Sequence, residues 1–182
     1  MHSLLTDLRA ATRASHDTLD MAFGSLDLED RDGYVRFLSG HAIGMRALFE
    51  PLRAFAHDLG IECPDYPAML RADLSQVNVD ADALPEVPAP VGLTPEGAGY
   101  VLSGSRLGLA MIARNGYWGR DHDVPSAYME DTQGLAVWKA GAAHLKQAQF
   151  SQEDSARHCA AATAAFETFR VAFDASAAVA VH

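Results

Sequence analysis

Apolar residues recur at helical spacing along nearly the whole chain, and nowhere do they alternate for long enough to read as a strand. Leu4, Leu5, Leu8, Ala11, Ser15, Leu19 and Ala22 mark a first helix over residues 4–22. Tyr34, Phe37, Leu38, His41, Met45, Leu48, Phe49 and Leu52 mark a second over about 31–56, with Asp30 or Asp32 as cap and Pro51 expected to kink or interrupt it. A shorter helix spans Tyr66 to Val77. Thr94-Pro95-Glu96 combines an N-cap, a proline at the first helical position and an acid in the first turn, which starts a helix from Pro95 to about Asn115. Pro125 to Met129 reads as a short helical turn, and Thr132 to Gln149 as a helix turning Leu135, Trp138, Ala142 and Leu145 inward. Ser151 caps a last helix running to about Phe173, with Phe166, Phe169 and Phe173 on one side. The pattern predicts an all-α fold, a single-domain bundle of about six to seven helices around one core.

At 182 residues the chain suits one domain, residues 1–174, with 175–182 as a flexible tail. The texture changes over 61–94, where five prolines fall between Pro64 and Pro90 and the run Pro85 to Pro90 excludes helix or central strand. This stretch reads as an extended surface connector, with a proline-rich docking segment as the alternative. It also explains the charge. Of the net −10, residues 61–98 carry −6, with Arg71 alone against seven acids, which leaves −4 for the rest. Nothing forms a basic stripe, so nucleic acid is not an expected partner. No apolar run approaches the roughly 18 residues of a membrane span. The N-terminus lacks the basic-then-apolar layout of a signal peptide, so a cytoplasmic location is expected, with no membrane partner. Cys63 and Cys159 match no metal or redox spacing, and no His and Cys pair falls at zinc spacing.

Candidate chemistry begins in the helix from Pro95. Gly104 and Gly108 lie one turn apart, and Gly97 two turns earlier, although each helical glycine costs about 1 kcal/mol against alanine. Side chains therefore vanish along one stripe, and either a neighbouring helix or a planar cofactor approaches it. On the first helix, His16 shares a face with Arg9, Thr12 and Arg13 before it and Asp20 after it. That face is either a functional one or a histidine bonded to a neighbour beside solvated arginines. His41, on the apolar face of the second helix, reads as a satisfied core histidine. Residues 117–123, Tyr-Trp-Gly-Arg-Asp-His-Asp, read as a loop that is either a pocket rim or plain surface.

Two of these stretches carry a family resemblance. Leu8-Arg-Ala-Ala-Thr-Arg-Ala-Ser-His16 resembles the N-terminal helix of heme oxygenases, and Tyr100-Val-Leu-Ser-Gly-Ser-Arg-Leu-Gly108 is similar to their distal helix. Weaker agreement through Tyr34 to Leu52, Pro125 to Met129, Trp138 and the last helix extends it over nearly the whole chain, and it points to the bacterial, phytochrome-associated type. The resemblance implies an enzyme that converts heme, O2 and reducing equivalents to biliverdin, CO and ferrous iron. It implies His16 as proximal ligand of heme iron, Asp20 as acceptor on the other ring nitrogen, and Arg9, Arg13 and Lys139 as partners of the heme propionates. Gly104 and Gly108 would bring the distal backbone over the ring, and Ser105 and Arg106 would order distal water. Heme is then both substrate and cofactor, with an electron-donor protein or small reductant and a biliverdin-binding phytochrome as partners.

One residue departs from the pattern. Where the family commonly has another glycine after the second distal one, this chain has Leu109, whose side chain either turns toward a neighbouring helix or crowds the slot. If it crowds the slot, Leu109→Gly should improve heme affinity. The departure keeps an alternative open, a heme-free protein of the same fold that acts as a regulatory or protein-interaction module. A bundle binding another small molecule in the same cleft is a third reading.

Overall fold

Short polar side chains decide where the helices begin. In a computed structural model, which describes residues 3–179, Ser3, Asp30, Asp65, Thr94, Ser126 and Ser151 each accept a hydrogen bond from a backbone N–H of the following turn. They open α1 (Leu4–Gly24), α2 (Arg31–Asp58), α3 (Tyr66–Gln76), α4 (Pro95–Asn115), α6 (Ala127–Glu130) and α8 (Gln152–Ser176). Of two further helices, α5 (Trp118–Asp121) starts without a side-chain cap, and α7 (Gln133–Gln147) is capped by Asp131, which accepts from Gln133 N and Gly134 N. The fold is all-α, and no strand occurs among the described residues. Residues 180–182 of the expected tail lie outside the described residues, and α8 reaches further than expected, to Ser176.

Helices α2, α4 and α8 pack on one another at the centre, with α1 along α8, α7 along α4 and α3 along α2. Small residues set how closely they approach. Ala161, Ala162, Ala165 and Ala172 of α8 are buried, and a Cβ on Gly97 of α4 would come within 2.6 Å of the His158 carbonyl oxygen. A Cβ on Gly44 of α2 would come within 2.6 Å of the Phe169 ring, and one on Gly141 of α7 within 2.7 Å of Phe55. These glycines trade helix propensity for contact between helix backbones and neighbouring rings.

Two expectations change. Pro51 does not interrupt α2, which continues to Asp58, because Leu52, Phe55 and Ala56 beyond it are buried and hold the last turns in place. In α7 the core face is Gly134, Val137, Gly141 and Leu145, so Leu135, Trp138 and Ala142 are only half-buried. The contact with Phe55 at Gly141 rotates the helix by one position from the face that its larger residues suggest.

The segment between α3 and α4 is stitched to α2. Arg31 donates to Val77 O at 2.8 Å, Arg46 donates to Ala81 O, and Leu84 is buried. Between these ties much of the segment is exposed, Val91 fully so. A buried carboxylate ties α3 to α6: Asp73 accepts from Ser126 Oγ at 2.6 Å, Ala127 N at 2.9 Å and Tyr128 N at 3.0 Å. Burial nevertheless pushes its carboxyl above the usual range.

Candidate functional site

Five helices, α1, α2, α4, α7 and α8, leave a cavity of about 440 Å³ between them. Its size falls within the range of small-molecule and cofactor sites, and its walls are mostly apolar. A second depression, by Ser3, Lys146 and Phe150, has about 130 Å³ and is too small for such a ligand.

One wall is α1, which turns His16, Leu19, Asp20 and Phe23 toward the space. The residues i and i+4 of a helix share a face, and here that spacing puts His16 Nδ1 at 3.3 Å from Asp20 Oδ2. Asp17 Oδ1 is further, at 3.8 Å. A carboxylate facing Nδ1 favours the proton there and leaves Nε2 with its lone pair free for a ligand. Phe166 of α8 meets the imidazole edge-on at 5.8 Å.

The opposite wall is α4, where Gly97, Gly104 and Gly108 have different surroundings. Gly97 faces α8, and a Cβ on Gly104 would lie 3.1 Å from the Trp138 ring of α7, whereas a Cβ on Gly108 would meet nothing within 4 Å. Gly108 is thus the position where bare helix backbone opens on the cavity. Ser105 lines the same wall, with its hydroxyl donated to Leu102 O at 2.7 Å. Leu109 is 3% exposed, part of the core and part of the cavity wall. Leu107 and Met111, by contrast, are 52% and 63% exposed at the mouth.

Arg106 was a candidate for ordering distal water, and the structure turns it away from the cavity. The guanidinium is buried on the far side of α4, where it donates to Tyr128 O and Asp131 O. Residues 117–123 do not form a rim either. Tyr117 is fully buried, stacked on Tyr34 at 5.4 Å and donating to Glu130 Oε1 at 2.7 Å. Arg9, Arg13 and Lys139 are exposed on α1 and α7 and do not line the cavity, so among the described residues its wall holds one Asp, Asp20, and no Glu, Lys or Arg.

His41 is the residue sequence reasoning missed. It is bonded to its own helix, as a core histidine should be, with Nδ1 at 2.8 Å from Phe37 O. It also faces the cavity, boxed by Phe23, Phe37, Tyr128 and Phe169 at ring distances of 4.3 to 5.9 Å. A carbonyl only accepts, so Nδ1 carries the proton and Nε2 is a neutral acceptor. Burial pushes its pKa down to about 4, the Phe37 bond opposing and the Arg106 charge assisting. Unfolded, the imidazole gains a proton below about pH 6.5, and folded it resists until about 4. Stability should therefore be full above pH 6.5 and fall as pH drops toward 4, by up to roughly 3 kcal/mol. Burial also lowers His158, which adds in the same direction. Urea denaturation at pH 7 and pH 4.5 measures the fall, and His41→Phe should remove most of it.

Among the described residues no group of three or more His, Cys, Asp or Glu side chains could hold a bare metal ion. No helix of the described residues is long and apolar enough to cross a membrane.

No protein-family model matches the chain, and neither does any curated protein. A solved structure does. The NO- and CO-bound heme oxygenase from Neisseria meningitidis aligns with a TM-score of 0.67 over 100% of this chain and 96% of that one, at 22% sequence identity. The all-α architecture of this chain is therefore the heme oxygenase fold.

Proposed function

We propose that the cavity binds heme and that the chain is a heme oxygenase, opening the ring to biliverdin with release of CO and ferrous iron. The observation that carries this reading is the pairing, across one cavity, of His16 with the open backbone at Gly108. A cavity with an imidazole in its α1 wall and bare backbone in its α4 wall suits a flat ring with a metal at its centre.

When bound, heme supplies both the ring that is opened and the iron at which O2 and electrons react. The protein's share is binding and orientation. His16 would hold the iron through Nε2, and Asp20 would fix the imidazole through Nδ1. Gly104, Ser105 and Gly108 would form the wall facing His16's helix, with space at Gly108 for a small ligand. Phe37, Phe166 and Phe169 keep bulk water from the inner end. Arg9, Arg13 and Lys139 meet the carboxylates of the ring outside the cavity, where guanidinium and ammonium groups remain hydrated until the ligand arrives. Electrons come from an external donor, a protein or a small reductant, and the product supplies a biliverdin-binding phytochrome. The reaction takes place in the cytoplasm.

Turnover tests this reading. Purified protein given one equivalent of hemin, air and ascorbate should lose the heme absorption and yield biliverdin and CO. Bound heme that persists under these conditions, and with a reductase system as donor, would overturn the enzymatic reading. The heme-free interaction module draws its support from the lack of any cation in the cavity wall, and it predicts no tight hemin complex at all.

A further inference from the structure

Arg106 leaves α4 two residues from both Gly104 and Gly108, so its side chain points about 200° around the helix axis from theirs. It is 2% exposed. Nη2 donates to Tyr128 O at 2.5 Å and to Asp131 O at 3.2 Å, and lies 3.7 Å from the Asp131 carboxylate. The guanidinium carbon sits 4.8 Å from the ring centres of both Tyr66 and Tyr128. Gly134, in the first turn of α7, makes room for the stem, since a Cβ there would come within 2.9 Å of Arg106 Cγ.

This arrangement is a poor stabiliser. Nε and Nη1 are buried with no hydrogen-bond partner, and a buried cation so incompletely matched is commonly no better than an apolar side chain of similar volume. What the fork supplies is direction: two carbonyls and two rings accept it in one orientation. Turning α4 about its axis would carry Gly108 off the cavity and pull the guanidinium from between its partners. We propose that Arg106 is a positioning residue for the cavity, setting the rotation of α4 that presents Gly104 and Gly108 to the slot and clamping Tyr128 where it backs His41.

Tyr128 joins the two halves of this role, because its ring also meets His41 at 5.5 Å. The rings that pack on His41 are Phe23 from α1, Phe37 on its own helix, Tyr128 from α6 and Phe169 from α8, and the cavity it lines also holds His16 and Asp20 of α1. The charge that acts on it comes from Arg106. The role concerns the shape of the cavity and does not depend on heme being its occupant.

The test uses the ligand-free chain and NMR. In Arg106→Met, melting should occur no lower than in wild type, while the amide signals of Gly104 and Gly108 shift and the His41 titration midpoint rises. Arg106→Lys, which keeps the charge, should return His41 to its wild-type midpoint. Should the Met variant fail to fold, Arg106→Gln offers the same readouts with a polar side chain. Unmoved glycine signals and an unmoved His41 midpoint in a folded variant would overturn the proposal. Collapse of both the Met and the Gln variants would overturn it too, by making Arg106 a folding residue.

Discussion

Gly108→Leu should give a protein that folds at least as well as wild type and binds hemin about ten to a hundred times more weakly. The two halves of this expectation have separate causes. A Cβ at position 108 meets nothing within 4 Å, and replacing a glycine inside α4 removes a helix penalty of about 1 kcal/mol. Stability therefore has no reason to fall. The new side chain would enter a cavity that His16 also lines, and an occupant of the slot would have to displace it. Thermal melting and a hemin titration on the same preparation read both halves. Gly104→Leu makes an instructive comparison, since there the Cβ would already lie 3.1 Å from Trp138 and the protein itself must yield.

The neighbouring position should behave in the opposite way. Leu109→Gly is expected to cost about 3 to 5 kcal/mol of stability, because it deletes a side chain that is 3% exposed and adds a glycine to a helix. For a chain of this size that is a fall in melting temperature on the order of 10 °C. Improved heme affinity was the expectation if Leu109 only crowded the slot. Its place in the core means that any gain in room comes with a loosened α4. Differential scanning calorimetry of the apo variant measures the cost, and Leu109→Ala, without the glycine penalty, should fall about 1 kcal/mol less.

This contrast shows which parts of the site could be read from sequence. The spacing of Gly97, Gly104 and Gly108 was legible, as was the shared face of His16 and Asp20, because both follow from one helix. What each glycine meets was not, since that depends on which partner crosses α4 at each turn: α8 at Gly97, Trp138 at Gly104, open space at Gly108. Phe37, Phe166 and Phe169 line the cavity, yet their spacing is that of any core face, and an apolar cavity wall uses the same residue types as a core. His41 hid for a related reason. Its bond to Phe37 satisfies one nitrogen, and only the packing of α1, α6 and α8 around it reveals that the other faces the cavity.

The fold was more legible than the site because helix starts are local. Asp30, Thr94 and Ser151 cap the helices that their positions announce. Departures came where tertiary contacts outweigh local preference. Burial of Phe55 and Ala56 carries α2 past Pro51, and the Phe55 contact at Gly141 rotates α7 away from the face its larger residues suggest. Arg106 belongs to the same class. An arginine amid the apolar residues of a helix reads as pointing to a polar site, and its hydrogen-bond acceptors, the main-chain carbonyls of Tyr128 and Asp131, leave no signature in sequence.

The central claim, that His16 holds heme iron across the slot from Gly108, is tested most directly by hemin titration of wild type and His16→Ala, with and without added imidazole. The account predicts a one-to-one complex with an imidazole-ligated Soret spectrum in wild type. It predicts loss of that spectrum with roughly tenfold or greater weakening in the variant, and its return when imidazole fills the space the side chain left. An absorption spectrum and affinity that are the same in wild type and His16→Ala would contradict it.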